Sequence, residues 1–505
     1  MEESSSDDQA DSSMAGMHSS LTDDRSGFDA EDQTRYESLE QPLTFRIRWI
    51  PPYLRYDHGP IEATGLTLDA YARAYILMSS IFLGPALLQF STEAAGCESE
   101  LNCDARVFGM KPSSILSNIA VVSGLAASLS MPIFGAVVDH TSYRQQVGKY
   151  SAYALSTVKL IEAMVSPSTW FFVAWLQVLS GLLFYMHIVA TYAYTSELTK
   201  ETSEQTKYNT YFFVVLYAST LIYMAKILTL SYVFNQDDVG TARISQVVTG
   251  LTSGSMFFLA WRFFGHREPS SSLPPGHTLG TVGFYKVWKT SRTIHRSMPA
   301  LKRLMGSVLF AESAMNAIIT IATTYMSTFL DMTSSEIGSV FLVVLIMGIP
   351  GAKLGELLAF RINPLVSAKV CLLMFFLSTS AAAIVLTGPE NKQYAIIFGV
   401  LWGICMGWLH PMHTVLFIGL TPGDARTEFM GIYIFCQQVL SWLPPLVFTI
   451  LNEFGASMSI GLASLDIFFF IGLVCLQSIG RYDHLVSAVP THDSTSPRVE
   501  LPSVS

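Results

Sequence analysis

Gly135-Ala-Val-Val-Asp139-His-Thr-Ser-Tyr-Arg144-Gln-Gln-Val-Gly148-Lys149 is a short polar stretch between two long apolar runs. Its glycines suit a close approach of two helix ends. Asp139 falls at the end of one helix, and Arg144 and Lys149 follow in the turn. A carboxylate facing cations across a tight loop is suited to latch two membrane helices. A weaker echo follows about 220 residues later, Gly355-Glu-Leu-Leu-Ala-Phe-Arg361, again between apolar runs. The pairing predicts two halves built on one plan.

Composition agrees with a membrane chain. Of 505 residues, 50% are hydrophobic and only 14% charged, against about 25% charged in soluble domains. The net charge of −9 says little about the core, because much of the acid lies between Glu2 and Glu40. That segment is rich in Ser and Asp and predicts a disordered acidic tail. No charged start, apolar centre and small-residue exit of a cleaved signal is present, so the first apolar run is expected to act as a signal anchor. Phe45-Arg-Ile-Arg-Trp-Ile-Pro-Pro-Tyr-Leu-Arg-Tyr56 mixes rings and cations. It fits a membrane-surface segment or an extended linker bent at Pro51-Pro52.

A spanning helix needs about 20 mostly apolar residues. Twelve runs qualify: 69–91, 114–138, 150–166, 168–194, 208–234, 241–264, 304–330, 336–360, 364–387, 393–419, 428–451 and 457–479. A polar stretch, 265–303, separates the sixth from the seventh and carries Lys286, Lys289, Arg292, Arg296, Lys302 and Arg303. Only helices or closed barrels satisfy backbone groups in lipid, and runs this continuous are helices. The expected fold is all-α: a polytopic protein with twelve transmembrane helices in two pseudo-symmetric six-helix bundles. Its parts are a cytosolic tail with a juxtamembrane segment (1–68), bundles over 69–264 and 304–480, a basic linker (265–303) and a disordered tail (481–505). With both termini in the cytosol, thirteen loop cations fall inside and four outside, the asymmetry that membrane insertion favours. A solute site is expected at mid-membrane between the bundles.

The stretch from Gly135 to Arg144 resembles the signature loop of the major facilitator superfamily. His140 stands where a basic residue is usual. Gly355 to Arg361 resembles the second-half counterpart, without its acid. Over most of residues 69–480 the chain also resembles the vacuole effluxer (autophagy-related) family of that superfamily. The residues that carry this are Asp69-Ala-Tyr, Glu197-Leu198, Gly348-x-Pro-Gly351-x-x-x-Gly355 and Gly399-x-x-x-Gly403-x-x-x-Gly407. The longest stretch is Thr421-Pro-Gly-Asp-Ala-Arg-Thr-Glu428-Phe-Met-Gly431-Ile-Tyr433, continuing to Ser441-Trp-Leu-Pro-Pro445. The resemblance implies an amino-acid effluxer of vacuoles or lysosomes. The departures are Arg73 for a small polar residue, Tyr192 for asparagine, Glu312-Ser313 for Asp-Gly, and His410 and Thr414 for glutamine and arginine. These change the expected lining of the cavity.

Charges inside a membrane are costly and are functional candidates by default. Asp69 and Arg73 share a helix face at i,i+4 and suit the two ends of a zwitterion, or a structural pair. Tyr192, Lys226, Asn316 and His410 complete the expected substrate site. Glu312 and Asp466 are the candidates for proton coupling. A carboxyl at Glu312 is placed to take a proton from an acidic lumen and release it in the cytosol. Gly135, Asp139, Arg144, Gly355 and Arg361 form the expected cytosolic gate. His187, His410 and His413 suit a pH-sensitive gate. Lys159 with Glu162 and Lys353 with Glu356, each three apart, are expected to pair with each other or to reach the interface. The glycines at 399, 403 and 407 form a small-residue stripe for close helix packing. Pro350 and Pro444-Pro445 are expected to bend their helices.

Cys97 and Cys103 share a polar loop. They bond if it faces an oxidising compartment and are otherwise two free thiols. No third ligand supports a metal at the histidines, and no phosphate loop, nucleophile elbow or Cys-x-x-Cys appears. An ATP-driven pump, an enzyme, a cofactor and nucleic-acid binding are therefore not expected. The function expected is secondary transport of a small polar solute, amino acids foremost, by a monomer in the vacuolar or lysosomal membrane. The plasma membrane is the alternative location. A sugar carrier of the same fold and a non-transporting receptor or scaffold are the alternative readings.

Overall fold

The computed structural model of the chain describes residues 50–56, 59–98, 103–199, 202–422 and 426–480. The acidic tail up to residue 49 and the tail from 481 onward lie outside the described residues. Among the described residues the structure is helical, with one isolated β-bridge, Val107 to Met110. The first half comprises α1 (Ile61–Ala94), α2 (Ile115–His140), α3 (Arg144–Glu162), α4 (Trp170–Glu197), α5 (Thr202–Val233) and α6 (Asp238–Ala260). The linker carries α7 (Leu279–Ser297). The second half comprises α8 (Pro299–Thr324), α9 (Ser334–Arg361), α10 (Pro364–Val385), α11 (Ala395–Leu420), α12 (Arg426–Gln438), α13 (Leu443–Glu453), α14 (Met458–Ala463) and α15 (Leu465–Gln477).

Several boundaries differ from the sequence reading. Helix α1 begins at Ile61, not 69, because the chain turns after Pro60, which precedes the first turn. The run 428–451 is two helices, and Pro444-Pro445 fall in the first turn of α13, where missing amide hydrogens cost nothing. The run 457–479 is also divided, between α14 and α15 at Ser464. Within the basic linker, α7 buries Val282, Thr290 and Ile294 and exposes Lys289 and Trp288.

Among the described residues, ten helical segments are long and apolar enough to cross a membrane. The two expected spans that fall short are α3 and α6. Lys149, Lys159 and Glu162 make α3 too polar, and α6 is diluted by serines and threonines. Both helices still pack inside the first half, α6 along α1 and α3 against α4 and α6. Lys159, Glu162, Ser245, Gln246, Thr249 and Ser253 are buried against protein, while Leu160, Ile161, Leu251 and Phe258 are exposed and give both helices an apolar outer face.

The halves meet where α2 lies against α13 and where α5 lies against α9. Hydrogen bonds join them at the end away from the linker. Ser117 and Thr449 hydroxyls are 2.6 Å apart, and Asn452 Nδ2 donates to Ser113 and Ser114 at 2.8 Å. Glu453 accepts from the Lys111 amide at 2.8 Å and pairs with Arg106 at 2.9 Å. On the other flank, Ser334 N donates to Asp238 at 2.7 Å. Cys97 and Cys103 are joined by a disulfide in the loop at this same end, with Cα atoms 5.6 Å apart.

The glycine stripe acts in the α9–α11 contact. A Cβ on Gly407 would lie 1.9 Å from the Gly348 carbonyl oxygen, and one on Gly403 2.4 Å from that of Val344. Backbone cannot yield as a flexible side chain does. Gly407→Ala is therefore expected to force the helices apart at about 1–3 kcal/mol or more, read as a lower melting midpoint of the purified protein. Gly254→Ala is the control, since its Cβ would meet Ser156 at an ordinary 3.5 Å.

Candidate functional site

The polar stretch Gly135–Lys149 sits at the linker end of the first half, but Asp139 and Arg144 are not paired with each other. Asp139 binds Lys286 of α7 at 3.0 Å. Arg144 reaches Glu197 at the end of α4 at 2.5 Å and also donates to Ser270 and to the Val138 carbonyl. Arg267 joins the same group, 2.8 Å from Glu62 and 3.6 Å from Glu197. The expected Asp139–Arg144 latch is thus replaced by two links. One ties α2 to the linker helix, and the other ties α3 to α4. Arg144 heads α3 after a tight turn, and this swings its guanidinium under α4.

The glycines differ as well. A Cβ on Gly135 would meet nothing within 4 Å, so close approach does not require a glycine there. Gly148 does require it, against the Trp261 ring at 1.9 Å. Gly355 is likewise covered by Trp408 at 2.2 Å. Its carbonyl accepts from Ser367, which accepts from Trp408 Nε1 at 2.8 Å. Arg361 is exposed at the end of α9 and does not join this group.

Deeper in each half lies a buried carboxylate beside histidine. In the first, Asp69 is inaccessible to solvent. Arg73 Nε donates to its Oδ2 at 2.6 Å, and His187 Nε2 is 2.8 Å from its Oδ1. His187 Nδ1 lies 3.1 Å from the Gly148 carbonyl. In the second half, Glu312 of α8 is buried. His413 Nδ1 lies 2.8 Å from its Oε1 and His410 Nδ1 3.4 Å from its Oε2. His413 is fully buried, whereas the His410 side chain is 41% exposed. Gln437 Nε2 is 3.3 Å from His410. Each cluster joins the first and fourth long helices of its half.

The remaining expected site residues are scattered. Asn316, one turn beyond Glu312, donates weakly to the Gln437 carbonyl at 3.4 Å and lines the cavity between the halves. Lys226 is exposed and donates to Tyr75 Oη at 3.1 Å. Tyr192 is 45% exposed and belongs to neither cluster. Asp466 lies in the first turn of α15, where Ser380 donates to it at 2.6 Å. Gly472 of α15, not Asp466, packs level with Glu312, against Ala311.

The cavity, about 270 Å³, lies between the halves and on the far side of both clusters from the linker. Its α1 wall runs from Ile76 to Leu87, beyond Arg73, and its α8 wall from Asn316 to Thr323, beyond Glu312. Lys159 and Gln177 contribute to it. Sequence reasoning left Lys159 either paired with Glu162 or at the interface, and the pair forms. Only the packing of α3 against α4 and α6 shows that it is buried.

The sequence model of the Major Facilitator Superfamily matches residues 70–445. No curated protein sequence matches the chain. Among solved structures, a POT family transporter in complex with 5-aminolevulinic acid aligns with TM-score 0.61 at 12% identity, over 86% of this chain and 100% of that one. A point mutant of the nucleoside transporter NupG aligns with TM-score 0.59 at 8% identity, over 83% and 100%. A bacterial homologue of the human lysosomal transporter Spinster, inward-facing and unoccupied, aligns with TM-score 0.56 at 12% identity, over 85% and 97%. At such identities the likeness is one of fold. The helical architecture and the family match over most of the chain lead to one conclusion: this protein is a multi-pass membrane protein and belongs to the Major Facilitator Superfamily of transporters.

Proposed function

We propose that the chain is a secondary active transporter that moves a small polar solute, amino acids foremost, out of a vacuole or lysosome, with protons entering at Glu312. The observation that carries this is the Glu312–His410–His413 cluster. It is a buried carboxylate held by two titratable rings, one of them partly open, a single turn from the cavity residue Asn316. Such a group can change charge without stranding a permanent ion. The resemblance to vacuole effluxers supports the choice of solute.

In this reading the protein works as a monomer with both termini and the linker in the cytosol. Asn316 and His410 contact solute. Asp69 and Arg73, satisfied by each other and by His187, brace the first half. The Asp139–Lys286 and Arg144–Glu197 links hold the cytosolic end, and the ties around Glu453 must break for the cavity to open to the lumen. The deciding measurement is uptake by proteoliposomes containing the purified full chain, across amino acids and sugars, with and without a pH gradient. Accumulation of an amino acid that depends on the gradient supports the reading. Accumulation of sugars alone, or of nothing, overturns it.

A further inference from the structure

We propose that Lys159 anchors a carboxylate in the inter-bundle cavity, which therefore takes a single small amino acid with a short apolar side chain. This rests on the reading of the chain as a carrier of small polar solutes, and it names the solute class and the group that selects it.

Lys159 and Glu162 are 1% and 0% exposed. Burying both ions is expensive, and a bare pair is a weak source of stability. The Lys159 ammonium has three N–H groups. One goes to Glu162 Oε2 at 2.9 Å, and among the described residues no other acceptor is recorded for it. Gln177 Nε2 donates to the same Glu162 oxygen at 3.0 Å, while Glu162 Oε1 is buried without a partner. The group thus holds unused capacity, and Lys159 and Gln177 both line the cavity. A solute carboxylate there would gain charge-assisted hydrogen bonds without displacing the existing one.

Three features narrow the solute. First, the cavity's 270 Å³ falls below the roughly 300–1,000 Å³ of sites for larger ligands, so it holds one small molecule. Second, Lys159 and Glu162 together carry no net charge. A bare carboxylate would leave a buried negative charge, whereas a zwitterion brings its own ammonium. Third, the α8 wall offers Asn316 and Thr320, and Leu83, Leu87 and Leu116 supply apolar surface beside the hydroxyls of Ser80, Ser123 and Ser180. That suits an amino group at the α8 wall and a short alkyl side chain.

The test is ligand-induced thermal stabilisation of the purified full chain. L-alanine should raise the melting midpoint. L-alaninamide, which lacks the carboxylate, should not. Propionate should act more weakly than L-alanine. The double variant Lys159→Gln/Glu162→Gln removes both charges and strands neither. It should lower L-alanine affinity by about tenfold or more, the scale of a lost buried charge contact. Equal stabilisation by L-alaninamide, no stabilisation by L-alanine, or undiminished affinity in the double variant overturns the proposal. The ligand comparison uses unaltered protein, so it decides the matter even where the double variant fails to fold. Stabilisation without proteoliposome uptake would sink the transport reading and leave this site standing. Amino-acid uptake indifferent to the double substitution would do the reverse.

Discussion

Glu312→Gln is expected to reduce pH-gradient-driven uptake to background while leaving solute exchange in place. Glutamine has the same shape and keeps an oxygen for His413, but it cannot take or release a proton. Glu312 is 2% exposed, and the residues recorded against its carboxylate are His410 and His413. An imidazole can be neutral or charged near neutral pH, so losing the carboxylate charge leaves no permanent cation behind and the fold should persist. Exchange carries no net proton and needs only that the bundles reorient. The measurement pairs proton movement, followed by a dye inside the vesicles, with counterflow of labelled L-alanine. Undiminished proton-coupled uptake rejects Glu312 as the coupling group. Loss of counterflow as well would assign it to solute binding. His410→Ala should weaken coupling more than folding, because that ring is the open one of the two.

The sequence was informative wherever a property belongs to one segment. The apolar runs pointed to an all-helical polytopic membrane protein, because lipid leaves helices as the main solution, and ten segments among the described residues qualify as spans. The stripe at 399, 403 and 407 marked a contact that glycine alone permits, and the structure finds it against Gly348 and Val344. The reading fell short wherever a partner lies far along the chain. Asp139 and Arg144 are close in sequence, and that suggested a pair. The turn after His140 sends them apart, toward residues 147 and 53 positions away. The spacing of Lys159 and Glu162 foretold their pairing, which the structure shows at 2.9 Å, but spacing carries no depth, and their burial was not legible. Glu312 was singled out as a lone carboxyl, yet its nearest ring comes from His413, 101 residues on. A carboxylate in one long helix and a histidine near the matching level of the fourth, seen in both halves, was the signal available in advance.

Asp69→Asn is expected to cost the protein its fold rather than its coupling, the opposite of the outcome at Glu312. The difference lies in the partners. Asp69 is held at 2.6 Å by Arg73, and an arginine does not give up its proton in proteins. With asparagine in place, Arg73 remains charged at 7% exposure with no carboxylate to offset it. Breaking a buried pair from one side costs about 3–5 kcal/mol. Asparagine keeps one oxygen for two donors, so His187 and Arg73 compete for it, and the tie that His187 makes among α1, α3 and α4 is weakened. The expected result is a sharp fall in monodisperse protein on size exclusion and a lower melting midpoint. Asp69→Asn/Arg73→Leu removes both charges and should recover much of that loss. If Asp69→Asn instead melts like the parent and only weakens L-alanine binding, then Asp69 faces solute and is no brace. The two buried carboxylates would then share one role, and the division of labour argued from their partners would fail.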